Sequence, residues 1–382
     1  MRRFRILALT LAILTLLPSC KKDDPVRKKG SSKYIYPTAE GWAKAAPRKY
    51  GFDESKLPDL GALAASSAAT GICVVAGGEM IWEWGNTSEY GCYIASCRKS
   101  IMISLYGKFI DSGAIKLRSS LADLGIDDIG GLSDLEKSAR VQDVITCRSG
   151  VYHDPSNGGD DTDKPARDTK TPGTYYCYNN WDFNVAGYIL EKASGKTIYQ
   201  LVDEMLAKPM EWQDWHLDRQ KYGGDTSISL YKAYHLYIST RDFARFGYLM
   251  LRKGEWNGEQ LIKKSWISEI TSTYSSLQEV SGNNGTFSYG YMWWLFDDDG
   301  EKVRANPLYH GGYMARGAGG KYLAVLPEAD LVIAYKNADN KGSISGMYKV
   351  IDAFLGAYNP ALKENETDDP GGEEFENTPE DD

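Results

Sequence analysis

The chain has 382 residues, 42% of them hydrophobic, which suits one large globular unit with a sizeable core and excludes a disordered polypeptide. Its formal charge of −8 is local in origin: ten acids and no base lie between Glu364 and Asp382, leaving +2 on the rest, or about −1 once Arg2, Arg3 and Arg5 are removed with a leader. Neither a basic field for nucleic acid nor an acidic folded domain is implied.

Residues 1–20, MRRFRILALTLAILTLLPSC, pass from a basic start through an apolar run, Ile6 to Leu17, into small residues, the layout of a secretory signal. The run is too short for a spanning helix. Its LPSC end resembles the bacterial lipobox, which implies acylation of Cys20 and an exported protein held at the cell envelope by a lipid anchor. Export alters the cysteine arithmetic, because Cys73, Cys92, Cys97, Cys147 and Cys177 remain and an odd number leaves at least one thiol free. Cys73 and Cys92 are a candidate pair. No C-x-x-C or Cys/His cluster at zinc spacing occurs, so neither a metal nor another cofactor is expected.

Residues 21–40 are charged and turn-rich and read as a tether, and 361–382 read as an acidic disordered tail. A single catalytic-sized domain is expected over 41–360, without internal repeats. Its first strand-like runs are GICVVAG (71–77) and EMIWEWG (79–85).

Next comes ASCRKS (95–100). If a helix starts at Ser96, then Ser96 and Lys99 share one face, with the hydroxyl at the positive helix end where an attacking alkoxide is favoured. Ile101, Met102, Leu105, Phe109 and Ile110 follow, so the helix can be buried and Lys99 with it; a low-dielectric setting favours the neutral amine, a usable base. The alternative is a capping serine with a solvated lysine. The same spacing recurs at Ser229 and Lys232 in SLYK, without such companions, so spacing alone does not decide.

The middle of the chain, about 100–280, reads as helical, with apolar helical spacing in 100–113, 181–195, 197–208 and 240–254. Within it Tyr178 and Asn180 form a Y-x-N just ahead of a helix, behind a Pro-Gly turn. The segment 153–170 holds His153, Asp154, Asp160, Asp161 and Asp163, matches no calcium-loop spacing, and reads as a mobile loop over a cleft. Trp181, Tyr291, Trp293 and Trp294 are either cleft walls or core residues. Strand-like runs return at YGYMWWLF (289–296), KYLAVLP (321–327) and DLVIAYKN (330–337), before a last helix over 343–358. The order predicts an α+β architecture: an antiparallel sheet of about five strands built from both chain ends, flanked by helices, with a helical middle region.

Ser96-x-x-Lys99, then Tyr178-x-Asn180, then His310-Gly311-Gly312 ahead of the closing strands together resemble the penicillin-recognising serine hydrolases. These include class C β-lactamases, DD-peptidases, esterases and 6-aminohexanoate-dimer hydrolases. The resemblance covers roughly residues 40–358. QDVITCRSGVY (142–152) and YHLYISTRDFARFGYLMLRKGEWNGEQLI (234–262) are also family-like. YGYMWW and ARGAGGKYLAVLPEADLVI are most similar to the 6-aminohexanoate-dimer hydrolase branch.

The resemblance implies a β-lactamase/transpeptidase-like fold in which Ser96 is acylated and Lys99 takes its proton, directly or through Tyr178. It further implies that Asn180 bonds Lys99 and the substrate amide, and that the Ser96 N–H and one from the strand after Gly312 form the oxyanion hole. The third motif departs from the lactamase pattern, because His310 stands where a lysine ammonium would steer a β-lactam carboxylate. Its distance to the strand is also about two residues too long, so Ala315-Arg316-Gly317 competes for the same place. Arg316 is a candidate to grip a substrate carboxylate, against the alternative of a structural ion pair. Cys97, Cys147 and Cys177 adjoin the motifs and are expected as small buried residues. The sequence thus predicts a monomeric serine hydrolase acting on an ester or amide of a small-molecule or peptide-like substrate. A β-lactamase or DD-peptidase is the alternative within enzymes, and a non-catalytic binder of penicillin or peptidoglycan the alternative outside them.

Overall fold

A computed structural model describes residues 32–158, 164–280 and 285–363. The leader with Cys20, the acidic tail from 364, and Asp160, Asp161 and Asp163 lie outside the described residues.

Seven strands make one antiparallel sheet: β1 Gly71–Ala76, β2 Glu79–Gly85, β3 Phe287–Tyr289, β4 Trp294–Phe296, β5 Tyr313–Gly317, β6 Lys321–Leu326 and β7 Leu331–Lys336. The spatial order is β2-β1-β7-β6-β5-β4-β3, so the last strand lies between the first strand and β6. Val74 stands opposite Ile333, and Ile333 opposite Ala324. Every residue of β1, β6 and β7 is buried, because helices cover both faces of the sheet. Such strands read as unbroken apolar runs instead of an alternation.

The sequence predicts about five strands, and two differences account for the seven. Residues 289–296 do not form one strand: Gly290 N–H bonds Trp293 O, Met292 has φ 59°, and the chain turns back to make β3 and β4. Strand β5 is hidden because it is short and carries Arg316 and Gly317, residues that break its apolar pattern.

Five longer helices clothe the sheet: α1 Leu60–Ser67, α2 Cys97–Asp111, α3 Asn180–Ser194, α4 Thr240–Leu251 and α5 Ile344–Ala357. Val332 and Ala334 of β7 join the core on the side of α2, α3 and α4, while Leu331, Ile333 and Tyr335 join the core beneath α1 and α5. This is the period-2 alternation of a strand between two layers. Each of α3, α4 and α5 begins at a side-chain cap, Asn179, Ser239 and Ser343 respectively, which satisfies an amide the helix cannot. Helix α4 lies close on the sheet at Gly247, where a Cβ would come within 2.6 Å of Val332 Cγ1. Its end is tied to the turn between β6 and β7 by Arg252, whose two terminal nitrogens donate to Asp330 at 2.6 and 2.8 Å.

Residues 32–40, expected to belong to the tether, are packed on the domain instead. The Tyr36 ring lies 4.9 Å from Trp256 and 5.5 Å from Tyr248, and Arg245 donates to Thr38 O. Aromatic side chains within a charged segment find apolar partners that its composition does not announce. Among the described residues no helix is long and apolar enough to cross a membrane.

Candidate active site

Helix α2 starts directly after Ser96, and the turn that delivers it is tightly held. Ile94 N–H bonds Leu236 O at 2.9 Å and Cys97 N–H returns to Ile94 O. Ala95 has φ 49°, left-handed backbone that costs a residue with a Cβ on the order of 1–3 kcal/mol and persists only where surroundings enforce it. The next hydroxyl is therefore aimed by a constrained turn. Ser100 Oγ donates to Met292 O at 2.6 Å and Cys97 Sγ to Lys321 O at 3.2 Å, so the first turn of α2 is fixed to the sheet as well.

Lys99 is 1% exposed and lies one turn after Ser96. Its Nζ donates to Ser96 Oγ at 2.9 Å, Tyr178 OH at 2.6 Å and Asn180 Oδ1 at 2.8 Å. Three oxygens from two separate helices and the approach to one of them thus meet one buried amine. Asn179 sets the approach: its Oδ1 caps α3 at Trp181 N–H and its Nδ2 donates to Val151 O at 2.6 Å. Tyr178 is consequently the second residue before α3 and Asn180 its first, and both reach Lys99.

The aromatic surroundings of the amine are close. Phe183 and Tyr178 ring centres lie 3.9 and 4.4 Å from Lys99 Nζ. Tyr178 packs on Phe183 at 4.8 Å and on Trp294 at 5.6 Å. Ser96 and Tyr178 remain partly exposed, whereas the amine they share is buried.

Gly317 ends β5 against the turn that carries Ser96. A Cβ there would lie 2.6 Å from Ile94 O, 3.1 Å from Ala95 Cβ and 3.2 Å from Cys97 Sγ. The motif that the structure brings to Ser96 is therefore Ala315-Arg316-Gly317. His310-Gly311-Gly312 precedes the opposite end of β5, about 15 Å away at ~3.3 Å per strand residue. His310 is exposed there and its Nδ1 lies 2.7 Å from Asp298 Oδ1. The expectation that His310, Gly311 and Gly312 line the site is thus corrected: the longer spacing reflects a turn before the strand. Arg316 stacks on aromatic rings, with its Cζ 4.4 Å from the Trp294 ring centre and 4.9 Å from that of Phe287. Trp294 therefore contacts both Arg316 and Tyr178.

The remaining candidates divide clearly. Ser229 is buried and donates to Asp128 Oδ2 at 2.6 Å while Lys232 is exposed, so SLYK is no second reaction centre. Trp181, Tyr291 and Trp293 are core residues, and Trp294 alone of the four predicted aromatics packs on Tyr178. Cys73 and Cys92 do not pair with each other. Cys97 and Cys147 are buried in the core, and burial pushes both thiols up, away from reactivity. His153 is fixed structurally, its two ring nitrogens each 2.8 Å from a backbone carbonyl, of Asp154 and Ile129. Among the described residues no three His, Cys, Asp or Glu side chains stand together as a metal site.

Two contributors escape the motifs. Phe183 follows Asn180 by one helical turn, and that i,i+3 spacing is a signal that places it beside Lys99. Ser149 Oγ donates to buried Asp182 at 2.6 Å, joining the segment 142–152 to α3, and no local pattern marks this pair.

A family model described as Beta-lactamase matches residues 61–342. A curated relative, an uncharacterised protein of Alkalihalophilus pseudofirmus, is 24% identical over 199 residues, or 48% of this chain, and the match spans 57% of that relative. A solved putative 6-aminohexanoate-dimer hydrolase from Bacillus anthracis superposes with a TM-score of 0.58 at 19% identity, over 86% of this chain and 88% of that one. A putative beta-lactamase from Bacteroides dorei gives 0.56 at 17% identity, over 78% and 97% of the two chains. EstCE1, described as a hydrolase with promiscuous acyltransferase activity, gives 0.57 at 13%, again over 78% and 97%. At these identities the solved structures establish a shared fold.

Proposed function

The chain belongs to the Beta-lactamase family, and from that premise we propose that it hydrolyses an ester or linear amide through an acyl-enzyme on Ser96. The observation that carries the reading is the junction at Lys99, whose Nζ holds Ser96, Tyr178 and Asn180 at 2.9, 2.6 and 2.8 Å.

In this scheme Ser96 Oγ adds to the substrate carbonyl and its proton passes to Lys99 and Tyr178, which act as one unit across their shared hydrogen bond. The oxygen that becomes negative is met by the Ser96 N–H, at the start of α2, and by an N–H at the end of β5. Collapse breaks the bond to the leaving alcohol or amine, which departs with a proton from the same pair. Water then adds to the acyl ester, gives up its proton to that pair, and releases the acid and free Ser96. Asn180 holds Lys99 in register, and Trp294 with Tyr178 forms an aromatic wall.

An ester or linear amide is preferred to a β-lactam because the strand end at Ser96 reads Ala315-Arg316-Gly317, without a lysine to steer the lactam carboxylate. A fluorophosphonate probe is expected to label the wild-type protein and to leave Ser96→Ala unlabelled. Equal labelling of both would sink the assignment. Comparing p-nitrophenyl ester hydrolysis with that of a chromogenic cephalosporin tests the substrate class, and faster cephalosporin turnover would favour the lactamase reading.

A further inference from the structure

Helices α2 and α3 both begin at the Lys99 cluster, and 15 residues each carry them about 22 Å away from it. Between their far ends lies a cavity of about 420 Å³, within the range of small-molecule sites. Ile115, Ile126, Val141 and Ile189 line it, all of them buried, with Leu124 and Ala193 beside them. No aromatic ring and no carboxylate is among the lining residues.

The walls are fixed by backbone bonds. Ile115 N–H donates to Phe109 O at 2.9 Å, Ile126 N–H to Leu121 O at 2.9 Å and Val141 N–H to Ser119 O at 3.0 Å. Lys192 Nζ donates to Leu124 O at 2.8 Å and so ties the last turn of α3 to the opposite wall.

The charge around the cavity has one sign. Lys116 and Lys192 are exposed lining residues, and neither forms an ion pair among the described residues. The acids nearest them in sequence are engaged elsewhere: Asp111 pairs with Lys263 at 3.0 Å, Asp123 accepts Ser120 N–H at 2.9 Å, and Glu191 accepts Ile198 N–H at 2.8 Å. The two helix ends add partial negative charge of about half a unit each, which two whole ammonium charges outweigh. Ser119 also lines the cavity, and its hydroxyl has no hydrogen-bond partner among the described residues.

We propose that this cavity binds an aliphatic monocarboxylate, its chain among Ile115, Ile126, Val141 and Ile189 and its carboxylate held by Lys116, Lys192 and the Ser119 hydroxyl. Aliphatic walls without rings suit a flexible chain, and each methylene taken out of water strengthens binding about fourfold. Two ammonium groups on one apolar hollow select an anionic head over a cationic one.

The test uses the full chain with Ser96 blocked by a fluorophosphonate, or as Ser96→Ala, and titrates hexanoate, octanoate and octylammonium by calorimetry. Octanoate is expected to bind one-to-one and alike to blocked and unblocked protein, roughly tenfold tighter than hexanoate and at least about tenfold tighter than octylammonium. Replacing both lysines, Lys116→Gln with Lys192→Gln, should bring octanoate and octylammonium within about threefold of each other. Ala193→Trp fills the hollow and should abolish octanoate binding while probe labelling of Ser96 continues; if that variant does not fold, the lysine pair still decides. Four results overturn the proposal: no saturable binding; octylammonium binding as well as octanoate, which means both lysine heads are only solvated; octanoate binding unchanged in folded Ala193→Trp, which places it elsewhere; or binding lost on blocking Ser96, which places it in the catalytic cleft. Absent labelling of Ser96 would instead refute the hydrolase reading alone, because octanoate binding to Ser96→Ala is read without catalysis.

Discussion

Replacing Gly317 by alanine tests the contact between β5 and the turn of Ser96. Its backbone is not among the positive-φ residues, so the new methyl group costs no torsional strain and acts through space alone. It would lie 2.6 Å from Ile94 O, and a tolerable carbon–oxygen contact is about 3.2 Å, so turn and strand must part by roughly 0.6 Å. The obstacle is backbone, and Ile94 is itself held by its bond to Leu236 O, so no side chain can swing aside. Overpacking of this kind costs about 1–3 kcal/mol of stability. An oxyanion donor displaced by that distance should lower kcat/KM by about 10- to 100-fold. Ester hydrolysis measured beside thermal melting reads both quantities. His310→Ala is the control: an exposed side chain paired only with Asp298 should change stability by less than about 0.5 kcal/mol and activity by less than about twofold. If Gly317→Ala kept full activity while His310→Ala lost it, the reasoning that puts Ala315-Arg316-Gly317 at the site would be refuted.

Lys99→Met should slow probe labelling by about 10²- to 10⁴-fold while the protein stays folded, because the unbranched thioether fills the volume of the buried lysine stem. Labelling within about threefold of wild type would remove Lys99 from the proposed proton path. Trp294→Ala should raise KM for aryl and long-chain acyl esters more than for acetate esters, since it deletes the ring packed on Tyr178; a uniform effect across acyl groups would count against an aromatic wall. His235 has its folded-state value depressed to about 4, chiefly by burial, so the unfolded chain binds its proton first. The stability it contributes is complete above the unfolded value near 6.5 and is lost as pH falls toward 4. His235→Gln should therefore flatten the fall of Tm across that window, and an unchanged pH profile would show that another group governs it.

The parts of the site legible in sequence are those fixed by helical geometry. Ser96 and Lys99 one turn apart, and Tyr178 and Asn180 at the start of the next long helix, need only the helix starts to be read correctly. The third element was ambiguous because it depends on where a short strand begins, and β5 has two residues, Arg316 and Gly317, that weaken a strand pattern. Strands β1, β6 and β7 were legible because burial on both faces makes them continuously apolar. The turn at Gly290 to Trp293 was not, since Tyr291, Met292 and Trp293 are apolar residues that fill the core while reversing the chain. Arg98 lies within the quoted motif and is 4% exposed, its guanidinium beside the Tyr234 ring, yet gave no signal, for nothing in a sequence shows which way a lysine's neighbour is buried.

The position of β7 between β1 and β6 bears on how the protein is made. Thr70 and Lys336, 266 positions apart, share a hydrogen bond, and Cys97 meets Lys321 across 224 positions. At synthesis rates of about 5–20 residues per second, Ser96 emerges roughly 10 to 45 s before the strands that complete its surroundings. The sheet cannot close until then, and pairing over such sequence distances is slow in itself. A chain interrupted before β5 would carry Ser96 and Lys99 but lack the strand that faces them, so under the proposed mechanism catalytic competence would arrive only after β5 has been made.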